Sequence, residues 1–267
     1  MRDALAIALG AVVAAVVLLP AAVDATARAS RAEALLERID PPAQDVPRYV
    51  RDPVTVAAPN PLHAESRGTR YRGGVPDGWG GVLALGGSST YGWGVEASEA
   101  WPARLGAVNG GIEAVASPHL VGRLLRDGLA LRPSVVVLYV GCNDAALRWG
   151  GGLALPEYTG PLGRGSLRRW AQGSPLTFAR SLRTLIGTAR LDGARVVVVR
   201  QAVCHDCDAV SVPAWAIDEY GRVVEVVAQA EGATLVVAEL PRALMFDSIH
   251  PTPEGHAQLA EQIREAL

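Results

Sequence analysis

The stretch "SVVVLYVGCND", residues 134–144, decides the fold class. After Ser134 its first half is an unbroken apolar run that is rich in valine. A strand with one face in water alternates apolar and polar residues, whereas a strand buried on both faces is apolar throughout. The run therefore predicts a central strand of a parallel sheet that is covered by helices on both sides.

Three more runs of the same kind occur along the chain: "GVLAL" (81–85), "ARVVVV" (194–199) and "ATLVVAEL" (233–240). Segments with helical spacing of apolar residues lie between these runs and after the last one. Alternating strands and helices are typical of a three-layer α/β/α sandwich with a central, mainly parallel sheet. We predict this fold for residues 81–267, as one domain.

The N-terminal region has a different character. Residues 4–23 contain no charged side chain, and twenty helical residues span about 30 Å, the thickness of a bilayer core. We interpret residues 1–25 as a transmembrane anchor. A signal peptide cleaved after Ala25 is the alternative, although its apolar region is usually about 7–15 residues long. Residues 26–80 are predicted to form a juxtamembrane stalk and an irregular lead-in.

Charge and the apolar segment restrict the partners. The net charge is −2, which argues against a nucleic-acid-binding protein, because such a protein needs a basic face. The apolar segment predicts a membrane contact, with the domain outside the cytoplasm, or secreted if the segment is cleaved. The sequence leaves the oligomeric state open.

Polar segments follow the predicted strands or precede the last helix: "GGSST" (86–90), "GCND" (141–144) and "DSIHP" (247–251). The carboxyl ends of parallel strands meet at one edge of a sheet, which is where ligands bind in such folds. We therefore expect these three segments to meet there, although they are far apart along the chain.

Together their side chains provide the groups for serine acyl transfer. A serine hydroxyl such as that of Ser88 is a weak nucleophile until a base takes its proton. An imidazole is suited to this because imidazoles in general titrate near neutrality, so His250 is the candidate base. Asp247 lies three residues before His250, close enough to orient the ring. The amide of Asn143 could bind the developing oxyanion, a contribution typically of about 10²–10³ in rate. The three segments therefore predict a serine hydrolase.

In their order and spacing these segments resemble the SGNH/GDSL hydrolase superfamily of esterases, lipases and acyl-group hydrolases. The resemblance covers residues 81–267 and implies a flavodoxin-like fold. It implies that Ser88 is the nucleophile, His250 the base and Asp247 its orienting carboxylate. The oxyanion hole would comprise the Ser88 N–H, the Asn143 side chain and the N–H of Ala114.

The sequence departs from the family pattern at two positions. Gly87 replaces the aspartate of the family's first block, and Ala114 replaces the glycine of the second block. Alanine keeps the backbone N–H donor. If the position requires a positive φ, we expect a distorted oxyanion hole or a shift of the donor to Gly111.

The resemblance implies carboxylic esters as substrates, without a metal or organic cofactor. O-acetylated envelope glycans and lipid esters both fit a site near a membrane. Two alternatives stay open. The same residues could serve an O-acetyltransferase, and the replacements at Gly87 and Ala114 are compatible with an inactive binding module.

Two further features lie near the predicted site. Cys204 and Cys207 could form a local disulfide, a redox dithiol or half of a zinc site. A zinc site needs a second ligand pair, which the sequence lacks, and we favour the disulfide if the domain is exported. Cys142 is expected to be buried and not to act as the nucleophile. Residues 145–174 are too long for a simple connection and are a candidate substrate lid.

Overall fold

The computed structural model describes residues 49–52, 56–149, 173–209 and 212–267. The strands there are β1 (Tyr49–Asp52), β2 (Val56–Pro59), β3 (Val82–Gly86), β4 (Val108–Asn109), β5 (Val135–Tyr139), β6 (Arg195–Arg200) and β7 (Thr234–Val237). The last five form a parallel sheet in the order β4-β3-β5-β6-β7. The predicted central parallel sheet is thereby confirmed, and the short edge strand β4 is an addition to it.

The described α-helices are α1 (Ser88–Tyr91), α2 (Trp101–Arg104), α3 (Ser117–Arg123), α4 (Cys142–Trp149), α5 (Pro175–Leu191), α6 (Ala214–Glu231) and α7 (Pro253–Arg264). Side chains of α5 and α6 pack in one apolar core, and side chains of α2 and α7 pack in a second. The sheet therefore has helices on both faces, as the α/β/α prediction requires.

Strand β5 shows why the sequence pattern is continuous rather than alternating. Val136 and Leu138 belong to the core shared with α5 and α6, whereas Val137 and Tyr139 belong to the core shared with α2 and α7. All four side chains are at most 1% exposed. Because both faces of the strand are buried away from water, each position favours an apolar residue.

The described part of the predicted lead-in is attached to the sheet domain. Strands β1 and β2 pair antiparallel. The Tyr49 hydroxyl donates a hydrogen bond to Glu113 over 3.0 Å, and the Asp52 carboxylate pairs with Arg70 and Arg126. This segment therefore packs against the predicted domain, and the proposed domain bounds stay predictions.

The predicted membrane anchor and stalk lie outside the described residues. Across the ranges that the structure covers, no helix combines the length and the apolar character needed to cross a bilayer. The anchor therefore stays a prediction from residues 4–23.

Two buried histidines predict how stability depends on pH. Nδ1 of His119 accepts from the Ala116 N–H, and Nδ1 of His256 accepts from the Trp101 N–H, each over 3.2 Å. Burial lowers the pKa of His119 to about 4. Burial, assisted by the charge of Arg104, likewise lowers the pKa of His256 to about 4. Both rings are therefore neutral in the folded protein at neutral pH.

We expect the free energy of unfolding to decrease by roughly 3 kcal/mol per histidine between pH 6.5 and pH 4. In this window the unfolded chain binds protons that the folded state excludes. The double variant His119→Asn/His256→Asn keeps an acceptor at both positions and should flatten this dependence in urea unfolding. Asp144 has the opposite effect on stability. Its pKa in the folded protein is raised to about 7, so the folded state binds a proton first as the pH decreases and is stabilised by it. The difference between wild type and variant is therefore the measurement, and equal pH dependence would contradict the prediction.

Candidate active site

The site lies where the direction of the chain connections reverses. From β3 the chain passes through α2 to reach β4 on one side, and from β5 it passes through α5 on the opposite face to reach β6. A crevice opens at the carboxyl ends of neighbouring strands at such a point. Ser88 follows β3 and Asn143 follows β5, so both residues stand at this crevice.

Ser88, His250 and Asp247 form a continuous hydrogen-bonded chain. Ser88 Oγ lies 2.8 Å from His250 Nε2, and His250 Nδ1 lies 2.7 Å from Asp247 Oδ2. An ionised carboxylate only accepts hydrogen bonds, so Nδ1 carries the ring proton and Nε2 accepts from the serine. This is the protonation state in which the ring can take the proton of Ser88.

The Asp247 carboxylate is held by its own turn. Its Oδ1 accepts from the backbone N–H groups of Ile249 and His250, each over 2.9 Å. Burial alone would raise the pKa of Asp247, but the His250 ring and these N–H groups outweigh burial and bring the pKa below its ordinary value. The carboxylate is therefore ionised at neutral pH, which favours a proton on His250 Nδ1.

The two adjacent serines have different surroundings. Ser88 contacts the histidine, whereas Ser89 is 2% exposed and donates to the Ile249 carbonyl over 3.0 Å. The same bond ties the start of α1 to the turn that carries His250. The geometry thus favours Ser88 over Ser89 as the reacting hydroxyl.

Asn143 and the Ser88 N–H are available as oxyanion donors. Within the described part of the chain, neither the Asn143 side chain nor the Ser88 N–H has a hydrogen-bond partner. Both residues line a cavity of about 10 Å³, together with Gly87 and Val115. Two donors therefore face a space large enough for a group the size of one water molecule.

Ala114 adopts the conformation that the family position suggests. Its φ is +58°, in the left-handed region, at a cost of about 1 kcal/mol for a residue with a Cβ. The Gly111 N–H donates to the Asn109 side chain over 3.0 Å, so the alternative donor at Gly111 is already engaged. No described residue accepts the Ala114 N–H, but Ala114 is not among the residues that line the small cavity, so its role as a third donor stays a prediction.

Asp144 connects the loop of Ala114 to Asn143. Its carboxylate accepts from the Ser117 N–H over 3.1 Å and from the Ser117 hydroxyl over 2.6 Å. Ser117 is the first residue of α3, whose N-cap is Ala116, so this contact holds the start of that helix. Burial raises the pKa of Asp144 to about 7 despite these hydrogen bonds.

Gly87 stands against the amide that the oxyanion hole requires. A Cβ at this position would overlap Nδ2 of Asn143, although the φ of −87° is open to any residue. The absence of the family's aspartate therefore leaves room for the Asn143 amide in its present place.

We expect Gly87→Ala to lower kcat for p-nitrophenyl acetate by about 10- to 100-fold with little change in KM, because the methyl group displaces the Asn143 amide. Gly187→Ala is the matched control, since Gly187 lies in α5 with open space around it. The control should leave kcat unchanged. Equal kcat values for wild type and Gly87→Ala would show that the Asn143 position is unimportant.

Trp93 and Gln201 also lie at the site. The Trp93 ring lies 4.6 Å from the His250 ring, centroid to centroid, and is 45% exposed. Gln201 accepts from the Cys142 N–H over 3.1 Å and lines the small cavity. Gln201 directly follows the buried strand β6. A polar residue at the end of such a strand is the sequence feature that could have identified it as a site residue.

The cysteines agree with the sequence prediction. Cys204 and Cys207 form a disulfide, and Cys142 is a buried free thiol. Burial raises the pKa of Cys142 to about 12, with further contributions from Asp144 and Asp247. A thiol that stays protonated is a poor nucleophile.

The predicted lid lies mostly outside the described residues. Of residues 145–174, the structure covers 145–149 at the end of α4 and 173–174 before α5. Trp149, the last residue of α4, contacts Trp215 edge to face. A lid function stays a prediction.

The comparisons with known proteins agree on family and fold. A model of the GDSL-like lipase/acylhydrolase family matches residues 84–258. No curated protein matches the chain significantly.

Several solved structures are similar in fold. A G-D-S-L family protein from Desulfitobacterium hafniense is 19% identical with a TM-score of 0.54, over 70% of this chain and 98% of its own. An acetylxylan esterase from Geobacillus stearothermophilus is 18% identical with a TM-score of 0.54, over 72% of this chain and 94% of its own. An α/β hydrolase from the metagenome of Lake Arreo is 19% identical with a TM-score of 0.54, over 69% and 93% of the respective chains.

Proposed function

The chain belongs to the GDSL-like lipase/acylhydrolase family and is an esterase of that family, and from this premise we propose that it hydrolyses short-chain esters of carbohydrate hydroxyls through an acyl-enzyme on Ser88. The observation that carries the proposal is the hydrogen-bonded chain from Ser88 through His250 to Asp247.

The proposed reaction has two halves. Ser88 Oγ attacks the ester carbonyl carbon while His250 Nε2 takes the serine proton, and Asp247 stabilises the resulting imidazolium. The carbon–oxygen bond to the alcohol then breaks, and His250 returns the proton to the departing oxygen. In the second half a water molecule attacks the acyl-enzyme with His250 as the base, and the carboxylic acid and free Ser88 are released. In both halves the Asn143 amide and the N–H groups of Ser88 and Ala114 hold the negative oxygen.

The size of the cavity supports a short acyl group. The space next to Ser88 and Asn143 measures about 10 Å³ between described residues, and its walls include Gly141 and Ile249. An acetyl methyl is close to the size of one water molecule, whereas a longer acyl chain needs more room. We therefore assign the acyl group to acetyl.

A larger cavity supports a polyhydroxyl alcohol. It measures about 470 Å³, and its walls include Trp93, Arg72 and four glutamates, Glu65, Glu96, Glu99 and Glu113. Arg72 pairs with Glu65, so the three other glutamates leave the lining with a net negative charge. Trp93 also packs on His250, so one wall of this cavity contacts the ring of His250. Carboxylates accept hydrogen bonds from sugar hydroxyls, an aromatic face suits a sugar ring, and the acidic surface repels anionic alcohols. The acetylxylan esterase among the structural neighbours has a substrate of this kind.

The proposal is tested by the substrate preference of the wild-type enzyme. We expect kcat/KM for p-nitrophenyl acetate to exceed that for the octanoate by about tenfold or more, as the size of a single cavity permits. Acetylated xylose should release free acetate faster than its phosphorylated counterpart. Preference for the octanoate or for the anionic sugar would overturn the substrate assignment. Acetyl transfer to an added sugar without free acetate would favour the O-acetyltransferase.

We also propose that the domain acts outside the cytoplasm, at a membrane. The support is the uncharged segment 4–23 and the Cys204–Cys207 disulfide, since disulfides persist mainly in oxidising compartments. A C-terminal alkaline phosphatase fusion should be active in cells, and an inactive fusion would contradict this placement.

A further inference from the structure

The disulfide loop, residues 204–208, lies against the turn that carries Asp247 and His250. Cys204 is 6% exposed, and its N–H donates to the Ser248 carbonyl over 3.0 Å. The Ser248 N–H donates in turn to the Asp208 carbonyl, also over 3.0 Å. The backbone of Ser248 is therefore bonded on both sides to one short loop.

The disulfide lies between the two groups that hold Ser248. One group is the N–H of Cys204 itself, and the other is the carbonyl of Asp208, the residue after Cys207. The covalent bridge joins Cys204 to Cys207, the neighbour of Asp208, and thereby limits how far the donor and the acceptor can move apart. Without the bridge, the exposed loop through residues 205 and 206 loses its covalent closure, and the two groups can move apart more easily.

Ser248 is well placed to transmit such a change. It directly follows Asp247 and precedes His250 by two residues, and it is 1% exposed. No regular helix or strand holds this turn, since residues 246–250 lie between a short 3₁₀ turn and α7. A displacement of about 1 Å at a catalytic group can cost about 100-fold in rate.

We propose that the Cys204–Cys207 disulfide loop is a positioning element for the Asp247–His250 pair, so that the rate of the hydrolase depends on the oxidation state of these cysteines. The inference rests on the proposed function for its kinetic consequence, and on the two Ser248 hydrogen bonds for its structural content.

The redox step is an ordinary thiol–disulfide exchange. A thiolate of an external dithiol attacks one sulfur of the bridge, forms a mixed disulfide and releases the other cysteine. The second thiol of the external dithiol then breaks the mixed disulfide and forms the cyclic disulfide of the oxidised reagent. The loop gains two thiols and the dithiol loses the same two electrons and two protons. Reoxidation by a disulfide of suitable potential reverses the step.

The test compares the full chain before and after reduction with dithiothreitol. We expect kcat for p-nitrophenyl acetate to fall about 10- to 100-fold with KM nearly unchanged, and reoxidation to restore it. Cys204→Ser/Cys207→Ser should show the low kcat and no response to the reductant. His205→Ala is the matched control, because His205 lies in the same loop and pairs with Asp218 without contacting Ser248. Its kcat should be that of wild type and should fall on reduction.

A spectroscopic measurement separates positioning from general stabilisation. The proton between His250 Nδ1 and Asp247 should give a far-downfield proton NMR signal in the oxidised protein. We expect the signal to broaden or vanish on reduction while the far-ultraviolet circular dichroism stays unchanged. An unchanged signal, or an unchanged kcat in the serine variant, would overturn the positioning role. The signal is read without substrate, so this arm decides the structural inference even if wild type hydrolyses no ester and the proposed function fails.

Discussion

Replacing Ser88 by alanine is expected to lower kcat for p-nitrophenyl acetate by about 10⁴-fold or more. Ser88 Oγ lies 2.8 Å from His250 Nε2, so its removal deletes the nucleophile and the acyl-enzyme with it. The remaining oxyanion donors would support only a slow attack by water. Initial rates and the labelling of the protein by a serine-reactive phosphonate are the measurements.

Ser89→Ala is the matched control for this variant. Ser89 is the neighbouring residue, and its hydroxyl bonds to the Ile249 carbonyl rather than to the His250 ring. Its loss should cost about 1 kcal/mol of stability and leave phosphonate labelling intact. A Ser88→Ala enzyme with wild-type kcat would refute the assignment of the nucleophile.

Replacing Asp247 by asparagine is expected to lower kcat at pH 7 by about 10³- to 10⁴-fold. Asp247 Oδ1 accepts from two backbone N–H groups, so the asparagine oxygen should take that position. Its NH₂ group then faces His250 Nδ1 and favours a proton on Nε2. The ring would meet Ser88 with an N–H where the reaction needs an acceptor.

Asp206→Asn provides the charge-matched control, because Asp206 is exposed in the disulfide loop. Both variants remove one negative charge, and only Asp247→Asn changes the tautomer of His250. We expect the Asp206 variant to keep a wild-type kcat and the Asp247 variant to keep a normal fold by circular dichroism. A loss of less than tenfold in Asp247→Asn would contradict the role of the carboxylate.

Most of the sheet could be predicted because burial on both faces leaves a local signature. The β5 residues Val136 and Val137 point into different cores, and each position is apolar for the same reason. Strand β4 has only two residues, which is too short for such a signature. The β1–β2 pair, within the predicted lead-in, was missed for a similar reason, since four-residue strands carry little periodic pattern.

The sequence by itself determined which segments meet at the site. Parallel strands end at one edge, so residues that directly follow them are brought together whatever their separation along the chain. Ser88, Asn143 and the Asp247–His250 turn were identified in this way, and their catalytic roles are what the variants test.

Only the tertiary structure decided how these segments hold one another. The positive φ of Ala114, the room that Gly87 leaves for Asn143 and the Trp93 ring on His250 depend on contacts between segments distant in sequence. The two hydrogen bonds between the disulfide loop and Ser248 depend on such contacts as well. The local pattern of apolar and polar residues indicates which segments are buried and where strands end. Side-chain contacts and individual backbone angles are instead set by packing against residues distant in sequence.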